Sequence, residues 1–317
     1  MGKEGRFPEA LMIGMVVNPR ARKNAEDPAR IGGLRQILDT EGIVRQARAL
    51  EEIADIAREF RRSGIDILVI DGGDGTIHHT ISAFIPIYGD AGLPPIAILR
   101  GGTMNTIANS LGIKGPSEEI LQRVVRAIKE RYSLEIIRAN ALGVNDRYGF
   151  IFGVGFPVSL LSAYYRGRGR GRWKSMRVLF EILLSIMEKE RGEGNFFLPF
   201  EADIWLEGEK LPMGRYTAIL GSTVKGVGLG FKPTRRVGQK EDLFQILCLD
   251  MGAKRMALNA LKVLLRMELR GQEVFDRMAT RALIRLQIPA DMQIDGEIFG
   301  DQWEIRLQIG PAIQFIR

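Results

Sequence analysis

A strand that breaks directly into a glycine loop is the feature that most constrains this chain. The apolar run IDILVI at residues 65–70 is followed by DGGDGT at residues 71–76. The glycines leave the backbone bare and a helix is predicted to follow, so amide N–H groups and a helix N-terminus can close around phosphate. Gly and Asp are also ordinary turn and N-cap residues, but the strand, loop and helix context favours a phosphate-binding loop.

The composition is that of a folded protein whose surface favours anions. With 317 residues, 45% of them hydrophobic, the chain can build a large core, and its length predicts two domains. The net charge of +7 favours phosphorylated small molecules, anionic lipid headgroups or nucleic acid as partners. The single cysteine, Cys248, cannot form an intramolecular disulfide, and with His78 and His79 it cannot assemble a zinc cluster. The single cysteine favours a reducing, cytoplasmic location. Any membrane association is expected to be peripheral, because the apolar run from Ala10 is shorter than the ~20 residues that span a bilayer.

Strands alternate with helices in the amino-terminal part of the chain. Apolar runs predict strands at residues 11–18, 43–47, 65–70 and 96–99. Apolar residues at helical spacing predict helices at residues 28–40, 50–62, 76–85, 106–111 and 117–129. We expect Pro86 to close the third of these helices. The alternation predicts an α/β domain with a mostly parallel sheet, whose ligands lie at the carboxyl ends of the strands.

Strands outnumber helices in the rest of the chain. They are predicted at residues 134–139, 148–154, 202–206, 217–223 and 243–249, and alternating apolar residues continue at 282–288 and 303–309. Helices are predicted at residues 176–190 and 253–269. We therefore predict an α/β domain at residues 1–133, followed by a mainly antiparallel β-sandwich domain at residues 134–317.

A second glycine loop follows the next predicted strand. Gly101-Gly102-Thr103-Met104-Asn105 lies between the strand at 96–99 and the helix at 106–111. Alone it is weak evidence, because Gly-Gly commonly precedes a helix, but two such loops at one sheet edge can converge on one ligand. Asn18, followed by Pro19, places an amide at the same edge. Termination of the first strand explains this pair equally well.

A third motif, Asp295-Gly296-Glu297, stands where two alternating strands need a hairpin turn. The turn by itself explains Asp-Gly. It does not explain Glu297, whose carboxylate can deprotonate a hydroxyl if it reaches the terminal phosphate of a nucleotide.

Together these motifs resemble the diacylglycerol kinase catalytic family of lipid kinases, which includes sphingosine and ceramide kinases and bacterial lipid kinases. The matching segments are Asn18-Pro19, Gly72-Gly73-Asp74-Gly75-Thr76, Gly102-Thr103 with Asn105 and Ala108, and Asp295-Gly296-Glu297. Their order and spacing match the family over nearly the whole chain.

The resemblance implies a nucleotide-binding α/β domain followed by a β-sandwich domain for the lipid substrate, with ATP in the cleft between them. Within it, Asp74 would help to hold Mg²⁺ and ATP, Thr103 would contact the nucleotide, and Glu297 would accept the proton of the lipid hydroxyl. The nucleotide-binding positions carried over by the resemblance are Asn18, Gly72, Gly73, Asp74, Gly75, Thr76, Gly102, Thr103 and Asn105.

Several positions depart from the family pattern. The family's Asp-Gly-Leu-x-Asp segment, whose first acid binds a structural magnesium, is here Glu241-Asp242-Leu243-Phe244-Gln245, and Glu241 can still offer an oxygen to a hard cation. Arg20-Ala21 replaces the usual Ser-Gly, and Arg48-Ala49-Leu50 supplies no threonine after the second strand. His78-His79 replaces the usual Asn-Glu. These changes indicate either a divergent lipid substrate or lost catalysis.

A basic segment precedes the helix predicted at residues 176–190. It carries six Arg or Lys residues between Arg166 and Arg177, and the apolar residues of the helix recur at helical spacing. Such a segment can dock on an anionic bilayer, and the apolar stripe can equally pack into the core of the second domain. Because the segment is short and few aromatic residues interrupt it, nucleic-acid binding is not expected.

The leading hypothesis is a lipid kinase that uses ATP and Mg²⁺ to phosphorylate a hydroxyl of diacylglycerol or of a sphingoid-type lipid. Two alternatives remain at this stage. A NAD kinase shares a Gly-Gly-Asp-Gly loop, and a catalytically silent module that binds nucleotide or lipid would account for the missing threonine and the altered acidic segment.

Overall fold

The described part of the chain forms two compact units. The computed structural model describes residues 11–166, 198–228, 231–264, 267, 269 and 271–317. The first unit contains the chain up to Ala139 together with Pro311–Arg317, and the second contains Asn140–Gly310. The basic segment beyond Arg166 and the helix predicted at residues 176–190 lie outside the described residues.

Buried strands and helices alternate in the first unit. Its strands are β1 (Ile13–Val17), β2 (Gly42–Gln46), β3 (Ile67–Asp71) and β4 (Ile96–Ile98). Its helices are α1 (Arg22–Glu26), α2 (Ala29–Leu38), α3 (Leu50–Ser63), α4 (Asp74–Tyr88), α5 (Thr106–Ser110) and α6 (Ser117–Glu130), and a 3-10 turn follows α4 at Gly89–Ala91. The apolar patterns of the sequence do not predict the short helix α1.

The strands of the first unit form a parallel sheet in the order β2-β1-β3-β4. Every residue of β1 and β3 is buried, as expected for strands covered on both faces. The end of β15 (Glu297–Ile316) adds to this sheet, where Phe315 pairs in parallel with Ile96 of β4. The predicted α/β domain with a mostly parallel sheet is confirmed.

Helix α3 shows how the sequence builds this unit. Four apolar side chains along one face are buried, namely Ile53, Ile56, Ala57 and Phe60. Glu52 in the first turn accepts hydrogen bonds from the amides of Arg48 (2.7 Å) and Ala49 (3.4 Å), which begins the helix. The helix ends at Gly64, which has a φ of 66° and adopts the left-handed conformation that glycine tolerates best.

Helix α4 continues past the proline that was expected to close it. It extends to Tyr88, with Pro86 inside its last turn, so the predicted end at residue 85 is wrong. Proline lacks an amide N–H, which removes one helical hydrogen bond but leaves the preceding turn intact. The helix ends two residues later, where Gly89 adopts a φ of 55°.

The second unit is built mainly of antiparallel strands. These are β5 (Ile136–Val144), which begins in the first unit, β6 (Arg147–Gly149), β7 (Ile151–Gly155), β8 (Phe200–Leu206), β9 (Glu209–Lys210), β10 (Arg215–Tyr216), β11 (Ala218–Ser222), β12 (Phe244–Leu249), β13 (Val274–Ala279), β14 (Arg281–Ile294) and most of β15. Two described helices, α7 (Phe156–Arg166) and α8 (Ala253–Leu264), accompany them.

The strands of the second unit pair in the order β13-β12-β11-β7-β14-β15, each antiparallel to its neighbour. Alternate residues of these strands, among them Phe152, Ile219, Phe244 and Ile305, form the core together with Tyr216 of β10. The prediction that antiparallel strands dominate this part of the chain is confirmed. None of the helices in the described part of the chain combines the length and the apolar character needed to cross a bilayer.

Candidate active site

The first glycine loop connects the end of β3 to the start of α4. Asp71 is the last residue of the strand, and the helix begins at Asp74 after Gly72 and Gly73. The amide of Ile77 donates to the carbonyl of Gly73 (3.1 Å), which is the first hydrogen bond of the helix. By helix geometry the amides of Asp74, Gly75 and Thr76 have no acceptor within α4, and amides in this position can bind an anion.

The second glycine loop packs directly against the first. The amide of Gly101 donates to the carbonyl of Gly72 at 2.8 Å. A Cβ placed on Gly102 would lie 2.5 Å from the Cα of Gly73, closer than real Cβ atoms come to a backbone atom. Glycine is therefore required for this backbone-to-backbone contact, and the expectation that two loops meet at one sheet edge holds within the first unit.

Replacing Gly102 by alanine is expected to lower the free energy of unfolding by about 1–3 kcal/mol, because the new methyl group overpacks two backbone segments that cannot rotate away. Urea unfolding measures the change. The matched control is Gly33→Ala in α2, where a Cβ would meet no atom within 4 Å. Equal stability of the two variants would contradict the proposed close packing of the loops.

Asn105 closes the second loop. Its backbone is left-handed, with a φ of 49°, and it stands immediately before α5. Its side-chain oxygen accepts a hydrogen bond from the amide of Gly102 (3.1 Å), while its side-chain nitrogen donates to the Gly102 carbonyl (3.2 Å). Thr103 lies inside this closed turn and is partly exposed. The asparagine predicted to bind nucleotide therefore also shapes the loop.

Asp74 joins the two glycine loops. Its carboxylate accepts hydrogen bonds from the amides of Thr106 (2.9 Å) and Ile107 (3.0 Å), the first two residues of α5. Burial raises the pKa of the Asp74 carboxyl, against these hydrogen bonds, which lower it. Asp74 thus begins α4 and caps α5, which places a carboxylate at the junction of both loops.

Asn18 ties the end of β1 to the first glycine loop. Its side-chain nitrogen donates to the hydroxyl oxygen of Thr76 (2.9 Å), and its side-chain oxygen accepts from the amide of Arg20 (2.9 Å). Its own amide donates to the carbonyl of Asp71 at 3.0 Å. The structure therefore brings Asn18 and Thr76 together with the two loops in the first unit.

A buried ion pair supports the first glycine loop. The sequence patterns did not predict this pair. Asp71 is fully buried, and the guanidinium of Arg30 in α2 donates to both of its carboxylate oxygens, at 2.9 and 3.0 Å. The side-chain nitrogen of Asn24 donates to Asp71 and to the carbonyl of Asn18, both at 2.8 Å. Arg30 also donates to Glu118 of α6 at 3.1 Å.

These contacts stabilise the protonated form of the Arg30 guanidinium. Burial lowers the pKa of Arg30, but the hydrogen bonds and charges of Asp71 and Glu118 outweigh it, and the pKa lies above its ordinary value. An acid at the end of an otherwise apolar strand was the one available signal, since a buried carboxylate needs a partner. That signal does not say which residue the partner is.

In the second unit, Asp295 and Gly296 form a tight hairpin turn between β14 and β15. Both have positive φ, 50° and 94°, as a type I′ turn requires. The buried Asp295 carboxylate accepts hydrogen bonds from the amides of Phe150 (3.0 Å) and Ile151 (2.8 Å). The tyrosine hydroxyl of Tyr165 donates to the carbonyl of Gly296 at 2.8 Å. The turn predicted from the sequence is present, and these hydrogen bonds hold it.

Glu297 follows this turn as the first residue of β15, opposite Ile294. It is partly buried, and its side chain has no hydrogen bond or ion pair with any residue that the structure describes. Burial raises the pKa of the Glu297 carboxyl above its usual value. A carboxylate of raised pKa without a partner among the described residues is suited to accepting a proton.

Glu241, the predicted ligand of a structural cation, is exposed in the loop before β12. Its neighbour Asp242 accepts a hydrogen bond from Asn140 at 2.9 Å. Gln245 stands where the family has its second acid, and it is buried and donates to the carboxylate of Asp276 at 2.8 Å. Within the described ranges no three His, Cys, Asp or Glu side chains lie close enough together to hold a metal. The role of Glu241 as a ligand stays a prediction.

The segment that contains both glycine loops matches a known family. Residues 12–135 match the family model described as the diacylglycerol kinase catalytic domain. This range contains all of the first unit's predicted nucleotide-binding residues, from Asn18 to Asn105.

Curated relatives and solved structures agree with this match. A protein named "Probable lipid kinase YegS" from Salmonella arizonae is 33% identical over 148 residues, which is 46% of this chain and 44% of that relative. The protein of the same name from Shigella flexneri is 33% identical over 122 residues, 38% of each chain. This chain therefore matches less than half the length of these relatives.

Two crystal structures from Bacillus anthracis str. Sterne share the fold over 98% of this chain and 98% of their own, each at 14% identity. The TM-scores are 0.71 and 0.67, and the second structure is named a diacylglycerol kinase. The resemblance to the diacylglycerol kinase catalytic family is therefore confirmed, and residues 12–135 are the part of the chain that carries its catalytic-domain pattern.

Proposed function

We propose that this protein is a lipid kinase that transfers the terminal phosphoryl group of ATP to a hydroxyl of diacylglycerol or a sphingoid-type lipid. One observation carries the proposal. The segment that matches the diacylglycerol kinase catalytic domain brings two glycine loops into backbone contact at the carboxyl ends of β3 and β4. Ligands of parallel α/β sheets bind at that edge.

The first unit supplies the phosphate-binding groups in this proposal. The amides from Gly72 to Thr76 bind phosphate oxygens, and the loop that Asn105 closes presents Thr103 to the nucleotide. Mg²⁺ needs only one or two protein carboxylates beside the phosphates, which Asp74 can supply, and when bound it neutralises charge that develops on the transferred group. Asn18 holds Thr76 in place through its hydrogen bond.

Glu297 is the proton acceptor in this proposal. As the lipid oxygen bonds to the terminal phosphorus, the bond from that phosphorus to the ADP oxygen breaks, and the proton of the lipid hydroxyl passes to the Glu297 carboxylate. The support is chemical: the carboxylate has no partner among the described residues, and its pKa is raised by burial. The basic segment between Arg166 and Arg177 remains the proposed contact with an anionic membrane that carries the substrate.

A lipid panel tests the proposal. The protein is incubated with Mg²⁺ and ATP labelled in the terminal phosphate, together with diacylglycerol, sphingosine, ceramide or monoacylglycerol in mixed micelles, or with NAD in a separate reaction. We expect label in one of these lipids and a thermal shift with Mg²⁺–ATP. Nucleotide binding without transfer to any lipid would instead identify a silent module, and transfer to NAD would identify a NAD kinase. The comparisons favour neither of these alternatives.

A further inference from the structure

A large cavity in the first unit lies away from the glycine loops. Its volume is about 1070 Å³, and its walls come from α2, β2, α3 and the end of α4. No lining residue belongs to either glycine loop or to the Asn18 and Asp71 contacts beside them. Six arginines line this cavity, namely Arg35, Arg45, Arg48, Arg58, Arg61 and Arg62. We call it the arginine pocket.

Three acids also line the arginine pocket, and each already has partners. Glu59 receives two hydrogen bonds from Arg45, one of them at 2.8 Å. Asp55 receives one from Arg58 at 2.6 Å. Glu52 accepts the two amides that begin α3. These three carboxylates are therefore committed to neutralising or capping contacts.

Within the described part of the chain, Arg61 donates only to the backbone carbonyl of Ile87, and three further guanidinium groups have no partner. The side chains of Arg35, Arg48 and Arg62 have no hydrogen bond or ion pair with any residue that the structure describes. They are exposed, so water solvates them, but they share one concave surface on which their fields add and counter-ions concentrate. Guanidinium groups bind phosphate through paired N–H donors, which an isolated water cannot replace.

We propose that the arginine pocket is a second anion site, which binds clustered phosphate groups. Its ligand is either a soluble polyphosphate or the neighbouring headgroups of an anionic phospholipid surface, since both present the same phosphate oxygens to the three free arginines. The pocket is separate from the proposed ATP site, so a ligand bound there takes no direct part in phosphate transfer. Such a ligand instead attaches the protein to an anionic surface or regulates its activity. Its tests use binding alone and do not depend on the proposed lipid kinase activity.

The test compares the whole protein with a pocket variant, Arg35→Gln/Arg48→Gln/Arg62→Gln. The matched control is Lys114→Gln/Arg126→Gln/Arg138→Gln, which removes the same charge from exposed, unpaired positions of the same unit outside the pocket. Calorimetric titration with inorganic tripolyphosphate at low salt forms one arm. Co-sedimentation with vesicles of phosphatidylcholine, alone or mixed equally with phosphatidylglycerol, forms the other.

We expect the pocket variant to bind about tenfold or more weakly than the control variant in at least one arm. A selective loss of tripolyphosphate binding identifies a soluble ligand, and a selective loss of sedimentation with the anionic vesicles identifies a lipid headgroup. Equal binding by the two variants in both arms overturns the proposal, as does an absence of binding by the unmodified protein. The single variant Arg48→Glu repeats the comparison if the triple variant unfolds.

Discussion

Glu297→Gln is expected to reduce phosphate transfer by about 10²–10⁴-fold, because the amide keeps the shape of the side chain but cannot accept the proton of the lipid hydroxyl. Binding of Mg²⁺–ATP should be unchanged, since the phosphate-binding amides belong to the first unit. Steady-state rates with the best lipid of the panel measure the first effect, and thermal shift with Mg²⁺–ATP measures the second.

The control for this prediction is Glu209→Gln, the same chemical change at an exposed position of β9. It should leave the rate unchanged. The unmodified enzyme should also lose activity as the pH falls through the raised pKa of Glu297, at a higher pH than an ordinary glutamate with a pKa of about 4.3 would produce. Undiminished turnover in Glu297→Gln would remove the assignment of this residue as the base.

Arg30→Met is expected to lower the free energy of unfolding by about 3–5 kcal/mol, the usual cost of removing one partner of a buried ion pair. The variant leaves the fully buried Asp71 carboxylate without the two hydrogen bonds that Arg30 donates. Because Asp71 is the residue from which the first glycine loop departs, binding of Mg²⁺–ATP should weaken as well. Urea unfolding measures the stability, and titration with the nucleotide measures the binding.

Two further variants separate burial from simple loss of charge. Arg58→Met breaks the exposed pair with Asp55 and should cost only about 0–1 kcal/mol. The double variant Arg30→Met/Asp71→Asn leaves no unpaired charge in the core and should recover part of the stability lost in Arg30→Met. If Arg30→Met proved as mild as Arg58→Met, the ion pair would not be a support of the loop.

Local features of the site were predictable because they rest on neighbouring residues. The strand ending at Asp71 and the turn at Asp295-Gly296 are each specified within a few positions by apolar runs and by glycine. The convergence of the two glycine loops also followed, since parallel strands β3 and β4 end at the same edge. The fold class depends on the same regular patterns and was predicted correctly.

Contacts between distant residues were not predictable in the same way. Arg30 and Asp71 are 41 positions apart, and nothing in the spacing of α2 distinguishes Arg30 from its exposed neighbour Arg35. The second role of Asp74, as the cap of α5, depends equally on how two loops pack. A residue's partners depend on how the whole unit packs. A single sequence without aligned relatives does not contain that information.

The return of the last seven residues to the first unit has a consequence for how the molecule is made. Pro311–Arg317 belong with the chain up to Ala139, and Phe315 and Ile316 are buried in that unit beside β4. During translation, the first unit therefore lacks the strand segment that pairs with β4 until Asn140–Gly310 has been synthesised. The first unit can therefore complete its sheet only after residues 311–317 have been synthesised, long after both glycine loops.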